Sequence, residues 1–157
     1  MSNASRAFAL SARRLSQAGA VDDGPIPKLL GIHHVRVPVT DVDVSRNWYR
    51  EVLGLVPVLD YQEEEGLVGV VLAHEPGMTV GLHRDPERAR ALRGFCILAL
   101  EVGPQAALDD WVAYLDGLGL EHSGIRDGHL GLLVEVPDPD GVLVQLHTTE
   151  HPSADEA

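Results

Sequence analysis

The sequence holds one cysteine, Cys96, among 157 residues. That excludes an intrachain disulfide and any cysteine-built zinc cage. Bases are scarce as well: 12 Lys and Arg stand against 24 Asp and Glu, for a net charge of −12. Three of the bases, Arg6, Arg13 and Arg14, precede the first acid, Asp22, so the rest of the chain is more acidic still. Such a body repels phosphate backbones, and nucleic-acid binding is not expected. It would draw in a cationic ligand or a metal ion, unless the acids form only a solvated surface. Aromatic residues make up 4%, and Trp48 and Trp111 both fall in helix-patterned stretches, which leaves no stacking platform. No run of 18 apolar residues is present, so no membrane span is expected. An apolar core of secretory-signal length is also missing, and the expected location is cytoplasmic. No glycine-rich phosphate loop occurs.

What remains suits one folded domain. Hydrophobic residues make up 45% and charged residues 23%, well outside the disordered range. A chain of this length buries roughly two-thirds of its unfolded surface. Residues 1–20 are rich in Ala, Ser and Arg and free of acids, a composition resembling a transit peptide. Gly24, Pro25 and Pro27 then break both helix and strand. The reading is an N-terminal extension over 1–29, a domain over 30–148 and a tail over 149–157.

Self-comparison organises the domain. At an offset of 63, Gly31 to Val39 lies over Gly94 to Val102, and Trp48 falls on Trp111. At an offset of 64, Gly77 to His83 lies over Gly141 to His147. Two copies of one module follow, about 30–84 and 94–148, joined by residues 85–93. In the first, Val35, Val37 and Val39 alternate with His34, Arg36 and Pro38, the period of a half-buried strand. A helix follows, capped by Asp41 or Asp43, with Val44, Trp48, Tyr49, Val52 and Leu53 as its apolar stripe and Gly54 at its end. Leu108, Trp111, Val112 and Leu115 make the matching stripe. Strands are expected near 56–60, 67–73 and 78–83, and again near 130–136 and 142–147, with turns at His74–Gly77 and Asp138–Gly141. The fold class is α+β: two tandem βαβββ modules forming a shared curved sheet. By parity, His34, Arg36, Gly81 and His83 point inward, as do Ile97, Ala99, Glu101, Gln145 and His147. His33 and Cys96 have the opposite parity, which makes Cys96 a buried, inert thiol.

Three stretches are similar to the vicinal oxygen chelate superfamily of glyoxalase, bleomycin-resistance, fosfomycin-resistance and extradiol dioxygenase proteins. They are His34-Val-Arg-Val-Pro-Val-Thr-Asp41, Ser45-Arg-Asn-Trp-Tyr-Arg-Glu-Val-Leu-Gly54 and Asp138-Pro-Asp-Gly-Val-Leu-Val-Gln-Leu-His147. The resemblance covers about 30–148 and implies that superfamily's fold, a small-molecule cavity and a homodimer. Function stays open, since one fold hosts many chemistries. The superfamily's metal sites use four inward positions, which fall here on His34, Gly81, Ile97 and Gln145. Two of the four have no side chain able to coordinate. His83 and His147 sit two residues further along their strands, so a shifted divalent-metal site with His34, or one including Gln145, is the alternative.

The expectation is thus a glyoxalase/bleomycin-resistance/dioxygenase-like protein whose cavity, lined by His34, Arg36, His83, Ile97, Glu101, Gln145 and His147, holds a small, cationic molecule without the usual metal. The alternative is a divalent-metal-dependent lyase, isomerase or dioxygenase, with Glu101 as candidate base. A third reading is a structural member whose cavity is filled by side chains. Glu121-His122-Ser123 looks triad-like but lies beside glycine, and Glu63-Glu64-Glu65 reads as a solvated loop unless it rims the cavity.

Overall fold

A computed structural model describes residues 26–148 except Glu65 and Pro76. Most of the expected extension, Glu65 of the acid run and the 149–157 tail lie outside the described residues. Residues 26–31 run without regular structure, with Ile26, Leu29 and Leu30 exposed. From Ile32 onward the chain forms one compact unit.

The elements are β1 (Val35–Val39), α1 (Val42–Leu53), β2 (Val56–Glu63), β3 (Gly66–His74), β4 (Met78–Arg84), α2 (Pro86–Ala91), β5 (Cys96–Gly103), α3 (Gln105–Gly117), β6 (Arg126–Gly128), β7 (Gly131–Pro137) and β8 (Leu143–Thr148). The sheets run β1-β4-β3-β2 and β5-β8-β7-β6. In each, the outer β1–β4 or β5–β8 pair is parallel and the others are antiparallel. The duplication therefore shows directly as one strand order used twice. The single curved sheet suggested by the repeat takes the form of two four-stranded mixed sheets with no closed barrel.

Local chemistry sets the elements. Asp41 caps α1 by accepting from the Val44 N–H at 3.0 Å, one of the helix's orphan donors. Gly54 ends α1 at φ 70°, a left-handed conformation that glycine adopts without a Cβ clash. Val42, Ser45, Tyr49, Val52 and Leu53 are the buried face of α1, while Val44 is 52% exposed. The expected stripe was thus one position off at its start. Residues 85–93, expected as a plain connection, hold α2, which Asp85 caps by accepting from the Arg88 N–H. That backbone donor, helped by the Arg88 guanidinium, holds the Asp85 carboxyl below its usual range.

Helix α1 packs on β2, β3 and β4, and α3 packs on β5, β7 and β8. Val37, Val39, Val80 and Leu82 from the first sheet meet Val134, Val136, Val144 and Leu146 from the second in one core. Each side chain of this size buried in full contributes on the order of 1.5–3 kcal/mol. Polar braces tie the modules together. Tyr49 donates its hydroxyl to Asp138 Oδ2 at 3.1 Å, and the Thr40 N–H donates to Asp140 Oδ2 at 2.9 Å. Asp138 Oδ1 accepts from the N–H groups of Asp140 and Val142, both at 2.9 Å, which closes the turn that ends β7. Tyr114 of α3 donates to the Glu51 carbonyl on α1. No helix among the described residues is long and apolar enough to cross a membrane.

Candidate functional site

Each sheet buries one face under its helix and leaves the other open. On the first sheet, Arg36, Gly81, Val71 and Leu59 stand in one row across β1, β4, β3 and β2. Pro38, His83, Gly69 and Tyr61 form the next row. A hollow of about 410 Å³ lies here, with His34, Arg36, His83, Tyr61 and Glu63 as polar lining and Val68, Val71 and Gly81 among its apolar lining. Two glycines shape it. A Cβ on Gly69 would come 3.0 Å from the Leu82 carbonyl oxygen and 3.7 Å from His83 Nδ1, so only glycine fits there without displacement. A Cβ on Gly81 would meet His34 and Arg36 at an ordinary 3.9 Å, so this glycine leaves open floor rather than relieving a clash.

His34 precedes β1, and its Nδ1 lies 2.8 Å from the Nδ1 of His33, with the rings edge to face. One ring must donate and the other accept. Strand alternation does not reach these two residues, so the expected separation of His33 from His34 is absent. Arg36 is exposed and has no carboxylate within ion-pair distance among the described residues, although Glu63 lines the same hollow.

The open face of the second sheet carries a different array. Gln145 Nε2 donates to Glu135 Oε1 at 2.8 Å. His147 Nε2 lies 3.0 Å from Gln145 Oε1, which can only accept, so this ring nitrogen bears the proton. Arg126 pairs with Glu135 Oε2. His147 Nδ1 is buried and makes no hydrogen bond among the described residues. Glu101 lies in register with His147 and is exposed. It also borders a cleft of about 250 Å³ between the modules, with Leu53, His74, Met78 and Trp111.

One parity expectation, that of Cys96, fails at a β-bulge. Between Cys96 and Leu98 the register with β8 shifts, so Cys96 partners Leu143 and Leu98 partners Val144. Cys96 therefore shares the face of Leu143 and Gln145, and Ile97 is left without a partner on β8, half-buried against the core. The extra residue of a bulge reverses the alternation on one side of it. Cys96 is half-buried rather than buried, and burial pushes its thiol up.

The structure thus brings His34, Arg36 and His83 together in one hollow and Gln145 and His147 into one hydrogen-bonded array, with Glu101 beside the latter. The hollow is lined by the first module alone. Among the described residues no three His, Cys, Asp or Glu side chains converge to hold a metal ion. The four-position site does not fit a divalent ion here. Gly81 and Ile97 offer no side-chain donor, and the Gln145 amide is committed to Glu135 and His147. The shifted set of His34, His83 and His147 is not brought together either.

Tyr61, Glu63, Arg126 and Glu135 were missed as site residues. Tyr61 and Glu63 lie beyond the expected end of β2 at residue 60, and Glu63 does rim the hollow. Glu135 was legible as a polar residue between Val134 and Val136. The triad-like Glu121-His122-Ser123 is structural. His122 Nε2 meets Asp116 at 3.1 Å and its Nδ1 accepts from the Gly124 N–H, while Ser123 Oγ accepts from the Glu135 N–H.

Two βαβββ modules of equal strand order, each with an open polar face, define the class of this molecule. Residues 31–146 match the family model of the Glyoxalase/Bleomycin resistance protein/Dioxygenase superfamily, and the chain belongs to that superfamily. Solved structures share the fold. TnmS3, an antibiotic binding protein from Streptomyces sp. CB03234, is 21% identical, with a TM-score of 0.65 over 80% of this chain and 100% of that one. Lactoylglutathione lyase from Agrobacterium tumefaciens is 19% identical, with a TM-score of 0.62 over 78% of this chain and 96% of that one. The fosfomycin resistance protein FosX from Listeria monocytogenes is 15% identical, with a TM-score of 0.62 over 77% of this chain and 94% of that one. No curated protein matches the chain by sequence.

Proposed function

We propose that the protein binds a small organic molecule in the hollow of the first sheet, without the four-ligand divalent centre expected of its superfamily. The hollow carries the reading: about 410 Å³, with apolar side chains beside three convergent nitrogen-bearing ones, has the size and mixed lining of a ligand site. The antibiotic binding function named for TnmS3 supports binding without chemistry. The names of the lyase and of FosX support the alternative, a metal-dependent enzyme. The donor set favours the first, because no three His, Cys, Asp or Glu side chains converge among the described residues, too few to hold a divalent ion well. The protein acts as a homodimer in this reading. Val56, Val58, Leu59 and Tyr61 are each more than half exposed on the edge strand β2, and a second copy would cover them.

Protein purified without a metal-affinity step is expected to carry far less than one divalent ion per chain. A screen of small molecules by thermal shift is expected to find stabilising ligands whose effect disappears in Gly81→Leu. That variant fills the hollow from a backbone position outside the left-handed region. One stoichiometric divalent ion per chain, or a ligand effect untouched by Gly81→Leu, would sink the reading.

A further inference from the structure

The charge of the whole chain and the charge inside the hollow point in opposite directions. The net −12 is spread over the sequence, and in physiological salt its field is screened beyond about 8 Å. Within the hollow itself the charged lining is Arg36, with His34 and His83 in the same lining and one acid, Glu63. A Cβ on Gly81 would stand 3.9 Å from both Arg36 Cγ and His34 Cδ2, so these two side chains border the same patch of open floor. Glu63, the acid of the lining, makes no ion pair with Arg36. An arginine lining a concave site, with no ion-pair partner among the described residues, offers a fork of N–H donors matched to two oxygens of one anion. A cationic group placed on the same floor would face that guanidinium instead.

We infer that the ligand of this hollow carries an oxyanion, a carboxylate or a phosphonate or phosphate group, seated on Arg36, with its apolar body over Val71 and Gly81. This rests on the proposed binding function and names the class of molecule bound. It replaces the cationic ligand expected from the net charge. His34 adds one hydrogen-bonding nitrogen, Nε2, since its Nδ1 is engaged by His33. His83 adds another from the neighbouring row.

The test compares four probes by isothermal titration calorimetry: phenylphosphonate, benzoate, benzyl alcohol and benzylammonium. At least one of the two anions is expected to bind tenfold or more tightly than the alcohol and the ammonium ion. Their relative order distinguishes a phosphonate-type group from a carboxylate. Arg36→Gln is expected to abolish that preference and to leave the melting temperature unchanged, because Arg36 is exposed and has no ion-pair partner among the described residues. Equal binding of the alcohol, tighter binding of benzylammonium, or a preference that survives Arg36→Gln would overturn the inference while leaving the binding function standing. Silence from all four probes would count against both.

Discussion

Tyr49 and Asp138 meet where the two modules join, and their environment makes a pH-dependent contact. Burial pushes the Asp138 carboxyl above its usual range, and the charge of Asp140 adds to this; the N–H groups of Val142 and Asp140 and the Tyr49 hydroxyl act against it. Burial, with Asp138 beside it, pushes the Tyr49 phenol well up as well. A carboxyl with a raised folded-state pKa binds more protons folded than unfolded. Its contribution is fully present below the ordinary carboxylate range and is lost as pH rises through the raised value. Denaturant titrations of wild type and Asp138→Asn across mildly acidic pH should therefore show wild type gaining relative stability as pH falls. A difference that does not vary with pH would contradict this. At Ser45 the sign is reversed. Its hydroxyl is buried on the inner face of α1 with no hydrogen-bond partner among the described residues. Ser45→Ala removes an unsatisfied group and adds helix propensity, and is expected to stabilise the fold by about 1 kcal/mol, read as a rise in the urea midpoint.

At the scale of the element, Gly69 decides whether β3 and β4 can lie together under His83. Gly69→Ala places a methyl 3.0 Å from the Leu82 carbonyl oxygen. The expected cost is about 1–3 kcal/mol, read by chemical denaturation, together with weaker ligand binding in the hollow. Strand β1, helix α1 and the two turns were legible because alternation, an N-cap and turn residues coincided there. Helix α2 was not, although Asp85 and Pro86 form a cap and first turn, because six residues with only Ala89 buried display no apolar stripe. Strand β6 has three residues, too few for alternation to show. The bulge in β5 was illegible in principle, since an extra residue leaves no mark in a run as uniformly apolar as Cys96–Leu100. It cost the placement of Cys96. Parity found Arg36 and His83 for one face and Gln145 and His147 for the other, but parity says nothing about which faces meet.

For the molecule as a whole, the apolar edge on β2 predicts self-association. Sedimentation equilibrium is expected to give twice the 16.9 kDa chain mass, and Leu59→Lys combined with Val58→Lys to move the population toward monomer. Both residues are more than half exposed, so loss of folding is not the expected cause. A wild-type monomer at high concentration would refute the pairing. Within one chain, the turn after β7 has a consequence for how the ancestral copies have diverged. Asp138 and Asp140 there brace Tyr49 and the Thr40 N–H of the other module. At the equivalent places of the first copy the sequence has His74 and Pro76. A chain built from two first halves would set an imidazole and an imino acid where two carboxylates belong, leaving a tyrosine hydroxyl and a backbone amide unanswered. The halves still share one blueprint, but they have become lock and key, and neither can any longer stand in for the other.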